Sequence, residues 1–265
     1  MHSDRHHRQL NMRAIIPAAG RGTRLNPSPD APPKAMFPLT GRPLLELVLE
    51  QTDFIAPEDT WIVVGYKKEA ITSYFGNRYH YAEQKEQLGT GHAVMQCADA
   101  FRDYDGTVLI TFGDMPLFRR EIMKEMCARN ASHHAACTLL TAVNPEVPMW
   151  AHIVRDANGH FVDIVEGKDC TPEQLRQPEL FAGVLAFDSR LLFQFLPLLD
   201  THNVQHEYYL TEVPRLMAEQ GLSVELFATD DPEDIRGVNA IADVAACERI
   251  LRQRNSRTPY PIPAP

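Results

Sequence analysis

Arg13-Ala14-Ile15-Ile16-Pro17 runs, without a polar break, into Ala18-Ala19-Gly20-Arg21-Gly22-Thr23-Arg24, and this stretch constrains the fold more than any other. The β-branched run reads as a buried strand, and the loop after it must let another molecule approach its backbone. Without side chains at Gly20 and Gly22, peptide N–H groups can face phosphate oxygens directly. Arg21, Arg24 and Lys34 gather positive charge around the same loop, which therefore suits a polyphosphate. A dinucleotide fingerprint would need glycine where Leu25 stands, and a P-loop would need Gly-Lys-Ser/Thr where Gly22-Thr23-Arg24 stands. An ordinary strand-to-helix turn is the plain alternative, to be weighed against the rest of the chain.

Strand and helix signals alternate after that loop. Helical spacing covers 43–55, with Leu44, Leu47, Val48 and Phe54 on one side, and short apolar strands follow at 61–65, 106–112 and 136–143. Helices are expected between them at 67–75, 91–101 and 119–129. This βαβαβ rhythm implies a parallel, right-handed α/β sheet. The second half changes character: 153–156 and 161–165 flank Ala157-Asn158-Gly159, a hairpin signal, followed by a strand at 183–187 and helices at 191–199, 209–219 and 241–252.

The chain's 265 residues can bury a full core, and its net charge of −9 argues against nucleic acid or an anionic membrane as partner. The basic loop is then a local focus suited to a small anion. Five scattered cysteines without a Cys-x-x-Cys pair point to reduced thiols and a cytoplasmic protein. No apolar run has transmembrane length. Residues 1–11, with His2, His6 and His7, read as a flexible tail, and 255–265 as a Pro-rich one. No feature assigns an oligomeric state.

Three further constellations carry chemistry. In Gln84-Lys85-Glu86-Gln87-Leu88-Gly89-Thr90-Gly91-His92 an amide that both donates and accepts can read a pyrimidine edge, although Gly-Thr-Gly also serves as a helix start. Asp114, in Phe112-Gly113-Asp114-Met115-Pro116, stands at the end of a buried strand where open α/β sheets bind ligands, and could equally cap a helix. Asn239, in Gly237-Val238-Asn239, offers a hard oxygen suited to Mg²⁺ or a cap for the helix that follows.

Taken together and in order, these segments resemble the sugar-1-phosphate nucleotidyltransferases, in particular the uridylyltransferase domain of the bifunctional N-acetylglucosamine-1-phosphate uridylyltransferases. Ile164-Val165-Glu166-Gly167-Lys168-Asp169 and Glu207-Tyr208-Tyr209-Leu210-Thr211 extend the likeness, which runs from about Met12 to Arg254. The resemblance implies a Rossmann-like, mixed and mostly parallel sheet of the nucleotide-diphospho-sugar transferase type, with a β-rich acceptor lobe. Nucleotide binding would fall in 12–143 and acceptor binding in 144–254. It implies that Pro17, Ala18, Ala19, Gly20, Arg21, Gly22, Thr23 and Gly113 line the nucleotide, and that Gln84, Gly89 and Thr90 recognise uracil. Lys34 and Arg24 would hold the triphosphate and carry catalysis, with Asp114 and Asn239 holding Mg²⁺. Phe112, Ala151, Glu166, Phe181, Tyr209 and Thr211 would meet the acceptor. The expected partners are UTP and a sugar-1-phosphate.

The likeness breaks at the acceptor. Trp150-Ala151-His152 stands where the family has Tyr-Gly-Arg, and Phe181-Ala182 replaces Asn-Thr, so a side chain that bonds the sugar in the N-acetylglucosamine enzymes is lost. Pro17 and the segment Pro33-Lys34-Ala35-Met36-Phe37-Pro38-Leu39 are more similar to UDP-glucose pyrophosphorylases. No hexapeptide repeat occurs, so an acetyltransferase β-helix is not expected. Because an amide can flip to read cytosine, a cytidylyltransferase acting on another phosphorylated or phosphonylated acceptor stays open. A non-catalytic nucleotide sensor is the third reading, disfavoured by the joint presence of Lys34, Asp114 and Asn239.

Overall fold

Ala14 and Ile16 point to one face of their strand and Ile15 to the other, and all three are fully buried, so this strand has packing on both sides. A computed structural model of the chain describes residues 11–143 and 150–257, with side chains through 254. Its strands are β1 (Met12–Pro17), β2 (Pro38–Leu39), β3 (Arg42–Pro43), β4 (Thr60–Val64), β5 (His80–Glu83), β6 (Thr107–Thr111), β7 (Cys137–Val143), β8 (His152–Arg155), β9 (Phe161–Val165), β10 (Glu179–Asp188) and β11 (Val224–Ala228). Its α-helices are α1 (Leu44–Gln51), α2 (Lys68–Phe75), α3 (Thr90–Met95), α4 (Ala98–Phe101), α5 (Arg120–His133), α6 (Ser189–Phe195), α7 (Glu212–Glu219) and α8 (Ile241–Arg257).

The main sheet runs β11-β7-β10-β6-β1-β4-β5, and β8 and β9 branch from β10 as an antiparallel pair. β6, β1, β4 and β5 are parallel, whereas β10 enters antiparallel to both β6 and β7. The sheet is mixed with a parallel centre, as the sequence implied. The chain moves outward from β1 through β4 to β5, then returns to place β6 on the other side of β1. That reversal makes a switch point between β1 and β6 at their carboxyl ends, where open α/β sheets hold ligands.

Helices cover both faces. Val94 of α3, Leu192 of α6 and Met217 of α7 join Ile15, Val63 and Ile110 in one cluster. On the opposite face Met123 and Met126 of α5 meet Leu109 and Val184, and Leu45 and Val48 of α1 meet Ile16 and Ile62. The C-terminal helix α8 seats Cys247 and Ile250 on Leu25, Leu39 and Leu44, clamping the segment that carries Lys34. A buried ion cluster fixes the approach to that helix: Asp234, with no exposed surface, accepts from Arg119 (2.9 Å) and Arg254 (2.8 Å).

Several elements depart from the sequence expectation. The helix expected over 91–101 breaks into α3 and α4, because Gln96 and Cys97 turn tightly, with their N–H groups donating to Ala93 and Val94. Helix α7 begins at Glu212 rather than 209, since Tyr208 and Leu210 are hydrogen-bonded to Leu88 and to the first turn of α3. β5 and β11 are sheet edges whose residues stay partly exposed, so neither shows a buried run. Helix α8 continues to 257, into the expected tail. The other tail residues, 1–10 with their histidines and 258–265, lie outside the described residues.

Candidate active site

β1 ends at Pro17, whose carbonyl accepts from the Gly113 N–H at 3.0 Å, so the two loops of the switch point are joined at their first residues. A cavity of about 610 Å³ opens there. It is lined by Pro17, Ala18, Ala19, Gly20, Arg24 and Lys34 from the first segments, and by Gln84, Gly89 and Thr90 from the loop after β5. Phe112, Gly113 and Asp114 follow β6, and Ala151, Glu166, Phe181, Thr211 and Asn239 line it as well.

The glycine loop is held by its carbonyls: Ala19 accepts from Tyr66 at 3.1 Å, Gly20 from Lys34 at 3.2 Å and Gly22 from Leu25 at 3.0 Å. Among the described residues, no protein acceptor meets the N–H groups of Ala19, Gly20, Arg21 or Gly22. A run of unpaired amides beside a lysine is an anion-binding arrangement. A side-chain carbon on Gly20 would meet nothing within 4 Å, so that position is open. Gly22 has a different reason to be glycine. Its φ is +73°, and an added Cβ would lie 2.7 Å from the Lys34 Cβ, so this glycine makes room for the lysine.

Lys34 follows Pro33 in a tight turn, and its ammonium donates to the Asp114 carboxylate and, at 2.7 Å, to Asn239 Oδ1. Three residues far apart in sequence thus converge on one point. Asn239 is placed by two backbone ties: Val238 N–H donates to the Asp114 carbonyl at 2.9 Å, and Asp243 accepts from the N–H groups of Asn239 and Ala240.

Gln84 is buried, and its Nε2 lies 3.0 Å from the Gly89 carbonyl and 3.0 Å from His92 Nδ1. The same loop rests on the chain before α7. Gly91 N–H donates to the Tyr208 carbonyl, Tyr208 N–H to the Leu88 carbonyl (both 2.8 Å), and Leu210 N–H to Thr90 Oγ1 (3.0 Å). At Gly89 an added Cβ would stand 2.6 Å from the Tyr208 carbonyl oxygen. The motif around Tyr208 therefore supports the loop bearing Gln84.

On the acceptor side, Thr211 donates to Glu166 Oε1 at 3.1 Å. Loss of hydration pushes the Glu166 carboxyl above the ordinary carboxylate range, against the opposing hydrogen bond from Thr211 and with help from Asp169 and Glu207. Phe181 is 5% exposed, and its N–H is taken by the Ala151 carbonyl at 2.8 Å, so it offers the cavity an apolar ring.

Four expected site residues are not brought into the lining. Arg21 lies with its guanidinium 5.4 Å from the Tyr66 ring centre, Gly22 packs on Lys34, and Thr23 is exposed in the turn beyond. Tyr209 is buried, with its hydroxyl donating to Asp169 at 3.3 Å, which sets it behind the cavity wall. Conversely, Gln87, Trp150, Lys168, Glu207, Arg236 and Asp243 line the cavity without having been singled out. All but Asp243, which stands four residues beyond Asn239, are next to or inside a motif that was, and that adjacency was the available signal.

A sheet of this topology, with unpaired amides, a lysine and a carboxylate at its switch point, defines an α/β protein built to hold a phosphorylated ligand. The chain belongs to the MobA-like NTP transferase domain family, which matches residues 14–176. It is 36% identical over 244 residues to the bifunctional protein GlmU of Enterococcus faecalis, which covers 92% of this chain and 53% of that protein. Against GlmU of Levilactobacillus brevis it is 37% identical over 240 residues, 91% and 52% of the two chains. The chain spans about half the length of these curated relatives. A solved structure of UDP-glucose pyrophosphorylase complexed with UDP-glucose superposes with a TM-score of 0.73 at 18% identity, covering 92% of this chain and 99% of that one, a likeness of fold. No helix among the described residues is long and apolar enough to cross a membrane.

Proposed function

We propose that this chain is a sugar-1-phosphate uridylyltransferase, making a UDP-sugar and pyrophosphate from UTP and a sugar-1-phosphate. The observation that carries this reading is the convergence of Lys34, Asp114 and Asn239 beside unpaired loop amides, in one cavity with Gln84 and Glu166. The 12–143 half then holds the nucleotide and the 144–254 half the acceptor. Free cysteines, four of them buried, suit a cytoplasmic setting.

Asp114 and Asn239 each turn an oxygen toward the same cation, the Lys34 ammonium, so a pair of hard oxygen donors already converges on a positive centre. That donor set fits Mg²⁺, which takes few protein ligands and keeps waters and substrate phosphates. When bound there, Mg²⁺ would neutralise charge on the triphosphate. Asp114 and Asn239 would hold it.

The acceptor phosphate is largely dianionic at neutral pH, its second pKa being about 6, and needs no general base. One of its oxygens attacks the α-phosphorus in line, forming a P–O bond as the bond from that phosphorus to the bridging oxygen of pyrophosphate breaks. No proton moves. Lys34 and Arg24 offset the repulsion between the two anions, and the loop amides of Ala19 and Gly20 bind phosphate oxygens. Gln84, Gly89 and Thr90 take the uracil, while Glu166, in contact with Thr211, accepts from acceptor hydroxyls.

Phe181 favours an acceptor other than N-acetylglucosamine-1-phosphate, because its ring cannot answer a hydroxyl and its N–H is already used. UDP-glucose, held by the structural neighbour, makes glucose-1-phosphate the first acceptor to try. Pyrophosphate release should be followed with UTP or CTP against a panel of sugar-1-phosphates. Mg²⁺-dependent release is expected with UTP and at least one acceptor, with N-acetylglucosamine-1-phosphate poor. No release from UTP with any acceptor would refute the activity, and efficient use of N-acetylglucosamine-1-phosphate would refute the role of Phe181.

A further inference from the structure

The Gln84 amide is fixed by chemistry rather than by assignment. The Gly89 carbonyl can only accept, so the amide atom 3.0 Å from it must be the NH₂ group. His92 Nδ1, 3.0 Å from that same nitrogen, must then accept the second amide hydrogen, which places the imidazole proton on Nε2. The Gln96 amide nitrogen, 3.2 Å from Nε2, donates to the His92 carbonyl at 2.9 Å, and Gln96 is exposed, so its side chain can swing aside and leave the Nε2 proton to solvent. Both Gln84 N–H groups are thereby committed inside the protein. Its Oε1, which among the described residues has no hydrogen-bond partner and is not sealed from solvent, is what Gln84 has left for a ligand in the cavity it lines.

An unpaired acceptor oxygen discriminates between pyrimidines. Uracil presents N3–H, a donor, whereas cytosine presents the N3 lone pair, so an acceptor opposite that position pairs with one base and opposes the other. The amide could invert this choice only by rotating, which would turn its oxygen toward the Gly89 carbonyl and the His92 lone pair. We propose that His92 is a positioning residue for base selection: by holding the Gln84 amide with its oxygen toward the base, it favours UTP over CTP. This rests on the uridylyltransferase reading and adds to it the residue that sets the choice.

The substitution pair His92→Leu and His92→Asn isolates the effect. Leucine has a methyl group where Nδ1 stands, while asparagine can offer an oxygen at the same δ position. Binding of UTP and of CTP, each with Mg²⁺ and without acceptor, would be measured calorimetrically on the full chain. The wild type should prefer UTP by about 10²-fold, the scale on which an unpaired polar contact rejects the wrong ligand, and His92→Leu should lower that ratio by about tenfold. His92→Asn should restore it. A wild type that prefers UTP, with His92→Leu weakening both nucleotides equally, would overturn the proposal and leave the uridylyl reading standing. A wild type that prefers CTP would overturn both.

Discussion

Gly20 and Gly22 stand two residues apart in one loop, and alanine at each should fail in opposite ways. At Gly22, φ of +73° costs a residue with a side chain about 1–2 kcal/mol. The new Cβ would also lie 2.7 Å from the Lys34 Cβ and 2.9 Å from its Cγ, against about 3.5–4.0 Å for carbon atoms at rest, so the lysine stem must shift by about 1 Å. Overpacking of that kind adds about 1–3 kcal/mol, for a total of about 2–5 kcal/mol and a fall in Tm of roughly 4–20 °C. A displacement of about 1 Å in a charged group that serves the reaction should lower kcat about 10²-fold. At Gly20 the added methyl meets no protein atom within 4 Å, so stability should stay within about 0.5 kcal/mol of wild type. Nucleotide binding should nevertheless weaken, since Gly20 borders the cavity. Thermal melts, read with kcat and KM for nucleotide from pyrophosphate release, separate these outcomes. If Gly22→Ala melts with the wild type and keeps its kcat, or if Gly20→Ala unfolds early while binding nucleotide normally, the division of labour within the loop is wrong.

Lys34→Ala and Asp114→Ala should each lower turnover at least about 10²-fold, the usual loss of one electrostatic stabiliser, and near-normal turnover in either folded variant would remove these roles. Asp234→Ala removes the fully buried carboxylate shared by Arg119 and Arg254, which keep Asp230 and Asp231 as partners, so it should cost about 1.5–3 kcal/mol, visible in urea or thermal unfolding. A loss under about 1 kcal/mol would show that the cluster does not anchor α8. Burial pushes the Asp163 carboxyl up to about 6 from 3.8, so the folded protein binds this proton more tightly than the unfolded chain. The stability from Asp163 is therefore full below about pH 4 and lost as pH rises through about 6. Asp163→Asn should flatten the change in Tm over that window, and identical pH profiles for the two proteins would contradict it.

What the sequence revealed follows from which interactions are local. Residues 12–17, 60–64 and 107–111 were legible because strands covered on both faces are apolar without interruption, and the loop after β1 was legible because its glycines and basic residues are adjacent. β5 and β11 were not, since an edge strand with partly exposed residues carries no comparable run. The three-way contact of Lys34, Asp114 and Asn239 spans over two hundred residues, so spacing alone could not show it, and only the ordered set of motifs suggested it. Gly22 was read as opening the backbone to a ligand, whereas its neighbour in space is a lysine side chain twelve residues on.

The segment from Tyr208 to Thr211 shows most clearly why such contacts matter for function. Its first residues carry the hydrogen bonds that seat Gly91 and Thr90, and with them the loop bearing Gln84, while its last residue holds Glu166. Four consecutive residues therefore tie the part of the cavity assigned to the base to the part assigned to the acceptor. Leu210 has no exposed surface, so its N–H would be left unpaired, at about 1–3 kcal/mol, if the base loop moved away without it. A shift at the base loop is accordingly linked to Thr211 and Glu166, through four consecutive residues and the side-chain hydrogen bonds of Thr90 and Thr211.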